Sequence, residues 1–217
     1  MRNTLRLSII FISISLIACS TNDLESLSLH CSCVVDEHYS VSTDKDDNST
    51  KEYTFTDSQL FDFGVLRKDY ALSSALFIYQ NIDTSTYKNL KLNFKKTGIS
   101  NKTYAYSTSE LLKLLPTYSQ IKDLSSQFVT DIYNQNYSSC IDKISPKIPD
   151  DKIKIALDNA RKDFYEDYKT TEIVGYKKTK NRYDIFGAIL TLDNKTDLFK
   201  MSFVNVNGAL TIVSFEF

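Results

Sequence analysis

Residues 172–217 read EIVGYKKTKNRYDIFGAILTLDNKTDLFKMSFVNVNGALTIVSFEF. Four strand-like runs fill this stretch: 172–179, 182–192, 197–205 and 209–217. Asp193-Asn194 marks one turn and Asn207-Gly208 another. The Asn-Gly pair is the stronger signal, because a two-residue hairpin turn of type I′ needs positive φ at both central positions. Strands joined by turns this short pair with their sequence neighbours and predict an antiparallel meander.

Two helical patterns lie upstream. Residues 119–137 place Ile121, Leu124, Phe128 and Ile132 on one face. A break follows at residues 145–149, SPKIP. Asp150 and Asp151 then open a second helix, where carboxylates favour the positive end of the dipole. It is expected to reach about Tyr168, with Ile153, Leu157, Ala160 and Phe164 turned inward.

A helix pair followed by a four-stranded antiparallel sheet resembles the NTF2-like family of cone-shaped α+β domains. The likeness covers residues 117–217 and includes the Asn136-Tyr137 step after the first helix. It implies a pocket between a curved sheet and the helices. Enzymes of that family set an Asp or Glu base in the pocket, often with His or Tyr to polarise a carbonyl. Here residues 117–217 contain no His. The strand carboxylates are Glu172, Asp184, Asp197 and Glu216. Period-two reading sets Asp184 opposite Ile185 and Ile189, and Glu216 opposite Phe215 and Phe217. Apolar residues also share the faces of Asp184 and Glu216, so their exposure stays open. A cystatin-like or other helix-on-sheet domain uses the same elements.

The first half, residues 27–116, reads as a smaller α+β segment. Residues 27–41 and 53–56 are strand-like, and between them residues 42–52 are wholly polar, as expected of a hairpin tip. Asp44, Asp46 and Asp47 lack the glycine and terminal glutamate of a calcium loop. Residues 66–82 have helical periodicity. Leu90, Leu92 and Phe94 alternate with Lys91, Asn93 and Lys95, Gly98 turns the chain, and residues 102–106 return. Ser107 and Glu110 form a capping box for a short helix to Leu115, which Pro116 is expected to stop.

The amino terminus is of another kind. Residues 1–6 are basic and residues 7–18 form an apolar-rich run of LSIIFISISLIA. A membrane-spanning helix needs roughly 20 apolar residues, whereas a run this short suits the core of an export signal. Leu16-Ile17-Ala18-Cys19 resembles the lipobox of bacterial lipoproteins, in which cysteine is acylated and the chain is cut before it. The resemblance implies a signal peptide over residues 1–18, a tether over 19–26 and lipidation of Cys19. Several acyl chains anchor durably where one is marginal. Ser20, in place of the Asp that favours inner-membrane retention, leans the expectation to the outer membrane.

With Cys19 acylated, Cys31, Cys33 and Cys140 remain, an odd number in an oxidising compartment. Two arrangements stand: buried free thiols, or a bridge from Cys31 or Cys33 to Cys140, with Cys33–Cys140 as the candidate pair. Pairing Cys31 with Cys33 would close a small strained ring. His30, Cys31, Cys33 and His38 are weak metal candidates, because their spacing fits no zinc-finger pattern. No metal or cofactor is expected.

The formal net charge is −1, and loss of Arg2 and Arg6 with the signal lowers it to about −3, so nothing favours nucleic acid as a partner. No nucleophile elbow, phosphate loop or HExxH motif occurs. The expectation is a lipid-anchored envelope protein acting as a non-catalytic binding or structural module, attached to the membrane and open to a protein partner. A small-ligand carrier and an enzyme with a pocket carboxylate are the rivals.

Overall fold

The computed structural model describes residues 23–40, 49–82, 87–146, 148–163, 168–191 and 196–217. Residues 1–22 lie outside it, and with them the expected signal segment and Cys19. The chain divides into two compact units, Met1–Phe63 with Phe77–Glu110, and Gly64–Leu76 with Leu111–Phe217.

In the first unit, residues 23–31 form helix α1. A strand had been expected from residue 27. The helix forms because Leu27, His30 and Cys31 are buried at helical spacing. It also absorbs residues 23–26 of the expected tether. Ser32, at φ 47°, ends α1 in the left-handed region. Its N–H donates to Leu29 O and the Cys33 N–H donates to Ser28 O, both at 3.3 Å. This bond pair is a Schellman cap, normally built on glycine. Strands β1 (Val34–Ser40), β2 (Thr50–Thr56), β3 (Asn89–Lys96) and β4 (Ile99–Ser107) follow in sheet order β1-β2-β3-β4. The β1–β2 and β3–β4 pairs are antiparallel. The β2–β3 pair is parallel, with Thr50 opposite Asn89. The hairpin expected near residues 42–52 thus exists, although its tip, 41–48, lies outside the described residues and residues 50–52 belong to β2. Leu90, Leu92 and Phe94 of β3 are buried as their alternation required, and Phe55 stacks on Phe94 with centroids 4.9 Å apart.

Helix α2 (Arg67–Asn81) begins in the second unit and ends in the first. Helix α3 (Thr108–Tyr133) starts where Ser107 Oγ accepts the Glu110 N–H at 3.1 Å, as the capping box requires. It then continues through Pro116, against expectation. Proline removes one helical hydrogen bond and costs about 3 kcal/mol. The stripe of Leu111, Tyr118, Ile121, Phe128, Val129 and Ile132 is buried along α3. Each such side chain contributes roughly 1.5–3 kcal/mol, so burial outweighs the proline. The proline also stands on the exposed side with Leu112, where water can take up the freed carbonyl. The expected segment boundary after residue 116 therefore falls within a helix.

The first helix of the expected pair stops at Tyr133, short of Tyr137. Gln135 turns the chain at φ 58° and α4 (Tyr137–Lys143) begins anew. Helix α5 (Asp150–Asp163) also ends earlier than expected, and Tyr168 already belongs to a strand. Phe164 and the Asp193-Asn194 turn lie outside the described residues. Strands β5 (Tyr168–Thr179), β6 (Arg182–Thr191), β7 (Thr196–Val206) and β8 (Ala209–Glu216) form the expected antiparallel meander. Asn207 and Gly208 turn it at φ 52° and 90°. The architecture is α+β, with five helices and two four-stranded sheets among the described residues.

Candidate functional site

The two faces of the second sheet differ. On one face Tyr176, Tyr183, Ile185, Phe199, Met201 and Phe203 are buried. Rings from α3 meet this face: Tyr118 packs edge-on against Tyr176 at 5.4 Å, and Phe128 against Phe215 at 5.2 Å. Gly187 pairs with Phe199, whose ring lies so close that a Cβ at Gly187 would stand 2.0 Å from Phe199 Cζ. Aromatic rings thus occupy ground where the family resemblance implied a pocket. Burial raises the Tyr118 and Tyr176 hydroxyls far above the ordinary tyrosine range, so neither is a phenolate at neutral pH.

The other face carries charge. Asp184 of β6, Lys200 and Ser202 of β7, and Ser214 and Glu216 of β8 line a concavity of about 260 Å³ together with Arg182 and Phe186. Cross-strand pairing brings them together, since Asp184 sits opposite Ser202 and Lys200 opposite Glu216. Arg182 Nε and Ser202 Oγ each donate to Asp184 Oδ1 at 2.7 Å, while Arg182 Nη2 donates to Ser202 Oγ at 2.8 Å. Lys200 Nζ is 3.4 Å from Glu216 Oε2 and 5.4 Å from the centre of the Phe186 ring. Burial alone would raise the Asp184 carboxyl. The hydrogen bonds from Ser202 and Arg182, with the charges of Arg182 and Lys177, outweigh burial and hold it below its ordinary value. Asp184 is therefore a carboxylate at neutral pH, suited to hold charge in place and unsuited to donate a proton. Of the four strand carboxylates, only Asp184 and Glu216 share this concavity. Glu172 instead pairs with Lys122 of α3 at 3.4 Å.

A second concavity of the same unit, about 250 Å³, is mainly apolar and is lined by Ile144, Ile148, Ile153, Val213 and Phe215 with Lys152. At the α3–α4 turn, buried Asp131 accepts from Lys143 Nζ and Ser139 Oγ at 2.7 Å and from Gln127 at 3.0 Å. Lys143 also reaches Ser139 Oγ at 2.5 Å. This resembles a serine with a base, but the Lys143 ammonium is committed to an ion pair with Asp131 at 2.7 Å. Burial would raise the Asp131 carboxyl, yet its bonds to Lys143, Ser139 and Gln127 lower it. The network is a clamp on the turn. Sequence reasoning passed over it, although the i, i+4 spacing of Ser139 and Lys143 on a short helix was a usable signal.

The cysteine and histidine candidates do not assemble. Cys31 and Cys33 are joined in a disulfide, and Cys140 is free and buried. The candidate Cys33–Cys140 bridge is thus not formed, and of the two arrangements the buried free thiol holds for Cys140 alone. The reason is the Schellman turn at Ser32, which brings the two sulfurs of the Cys-Ser-Cys run together where an extended strand would not. Burial pushes the Cys140 thiol up to about 12. His30 is buried and stacks on Phe77 at 4.2 Å. His38 is exposed on β1, opposite Glu52. A disulfide offers no thiolate to a metal, and among the described residues no group of three or more His, Cys, Asp or Glu is placed to hold one. No helix among the described residues is long and apolar enough to cross a membrane.

No protein-family model matches the chain. No curated protein matches it either. Among solved structures it is similar to a Campylobacter jejuni protein described as an NTF2-like transpeptidase, at 15% identity, over 42% of this chain and 95% of that one, with a TM-score of 0.37. A likeness at that score carries no argument about what this chain is.

Proposed function

We propose that this chain is a bacterial lipoprotein, anchored in the cell envelope through Cys19 and more at the outer than the inner membrane. Its C-terminal half is an NTF2-like domain, a helix group on a four-stranded meander, that binds a protein partner without catalysis. The order of α3, α4, α5 and the strands β5 to β8 supports the domain assignment. One observation carries the binding reading: the open concavity around Asp184 presents fixed charges of both signs around a half-buried Phe186. Such a surface offers hydrogen bonds and an aromatic contact at its floor, the mixture that protein interfaces use. The lowered Asp184 carboxyl disfavours the enzyme reading, which needs a raised one. The aromatic filling over Gly187 disfavours a small-ligand cavity.

A photo-crosslinking side chain at Lys200 in living cells should give one discrete adduct with an envelope protein, lost when Phe186→Ala is added. Absence of any adduct from Lys200 and from Ser214 would sink the binding reading. For the anchor, a Cys19→Ser chain should lose label from radioactive palmitate, and continued labelling would refute it.

A further inference from the structure

The Cys31–Cys33 bridge has little to do as a staple. It closes a ring across one intervening residue, and the stabilisation a disulfide gives by restricting the unfolded chain grows with the loop it closes. Its surroundings point elsewhere. Cys31 has no exposed surface, whereas Cys33 is half-buried and precedes the exposed Val34 that begins β1. A thiolate arriving from solvent therefore reaches one sulfur of the two. Exposed Leu29, at 66%, and Val34, at 64%, stand on either side of the pair in sequence, and they offer apolar contact to a chain that brings such a thiolate. Cys31 Sγ lies 3.4 Å from Ser28 O, so a thiol formed there has an acceptor in place. The bridge also spans Ser32, a residue with a Cβ in a left-handed cap position that glycine usually fills.

We propose that Cys31–Cys33 is a thiol–disulfide exchange site whose substrate is a protein dithiol, and that its reduction loosens the end of α1. The dithiol's first thiolate attacks Cys33 Sγ, forming a mixed disulfide. The Cys31–Cys33 bond breaks with its electron pair on Cys31 Sγ, which takes a proton. The partner's second thiolate then attacks its own sulfur in the mixed disulfide and frees Cys33, which takes the second proton. The partner is oxidised to a disulfide and this chain is reduced to two thiols. Disulfides that solvent can reach are the exchangeable ones in proteins, and Cys33 is the half-buried member of this pair.

The full chain, kept in native buffer, is treated with dithiothreitol as a model dithiol and then alkylated, with each cysteine read by mass spectrometry. Cys31 and Cys33 should become alkylated while buried Cys140 stays on the order of a hundred-fold slower. Amide exchange at residues 28–34 should rise about ten-fold while α3 is unchanged. Oxidised glutathione should form a mixed disulfide with Cys33 in Cys31→Ser about ten-fold faster than with Cys31 in Cys33→Ser. A Ser32→Gly chain should keep slow exchange at residues 28–34 even when reduced, since glycine holds the cap without the bond. A bridge that stays oxidised in excess dithiol overturns the proposal. So does reduction only together with global unfolding, or equal reactivity of Cys31 and Cys33.

Discussion

Both sheets have four strands in sequence order, yet they are assembled differently. The second takes its strands from residues 168–217, each pairing antiparallel with the next. The first joins β2 to β3 in parallel, so the chain leaves the sheet at the Thr56 end of β2 and must cross back to the Thr50 end, where Asn89 begins β3. A meander is specified by local turns such as Asn207-Gly208, which fix the register of the strands on either side. A parallel pair has no such turn and depends on contacts made far along the chain. Local specification in one sheet and long-range packing in the other therefore lead to different sensitivities.

The largest effect is expected where long-range packing alone holds the register. Phe55→Ala removes a fully buried ring stacked on Phe94 and should cost about 3–5 kcal/mol. Amide exchange should show the loss of protection concentrated in β1, β2 and β3. An equal loss across β5 to β8 would mean that the two sheets unfold as one, and the contrast would fall. In the meander the most sensitive position is Gly187, which no turn governs. Gly187→Ala drives a methyl into the Phe199 ring and should cost about 1–3 kcal/mol, measured by urea unfolding. Adding Phe199→Leu should recover part of that loss. If Gly187→Ala is neutral, the ring is not seated on the glycine.

The smallest effect is electrostatic. Asp184 and Asp131 both lie below their ordinary carboxyl values in the folded chain. A depressed folded pKa means stabilisation that is fully present above the unfolded value of about 3.9 and lost as pH falls through the folded one. The stability difference between the parent chain and Asp184→Asn should therefore be constant from neutral pH to about 5 and shrink at lower pH. A difference that changes near neutral pH would reveal a raised carboxyl and reopen the catalytic reading.

The second half was more legible in sequence than the first, and the reason is periodicity. The four strands, the Asn207-Gly208 turn and the inward stripe of α3 each repeat a short-range rule, and the structure keeps them with shifts of a few residues. The signals that failed were single residues read as absolute. Pro116 was read as a stop, but a helix with a long buried stripe can carry one proline on its wet side. Cys31 and Cys33 were read as extended, but their short segment takes its conformation from α1 and from a cap at Ser32. The Asp184 concavity was half visible: alternation assigned Asp184 and Glu216 to sheet faces, while only the cross-strand register could bring them to one place with Lys200 and Ser202.

By itself, the sequence determined the inward stripes of α3 and α5, the meander and the segments whose chemistry is set by covalent order, including the resemblance of residues 16–19 to a lipobox. These depend on neighbours within a few positions, and backbone geometry repeats over that distance. Tertiary structure alone decided the parallel β2–β3 pairing, the filling of the sheet face above Gly187 and the ionised state of Asp184. Each of those depends on which distant groups meet and how far water is excluded there, and neither quantity is encoded in local spacing.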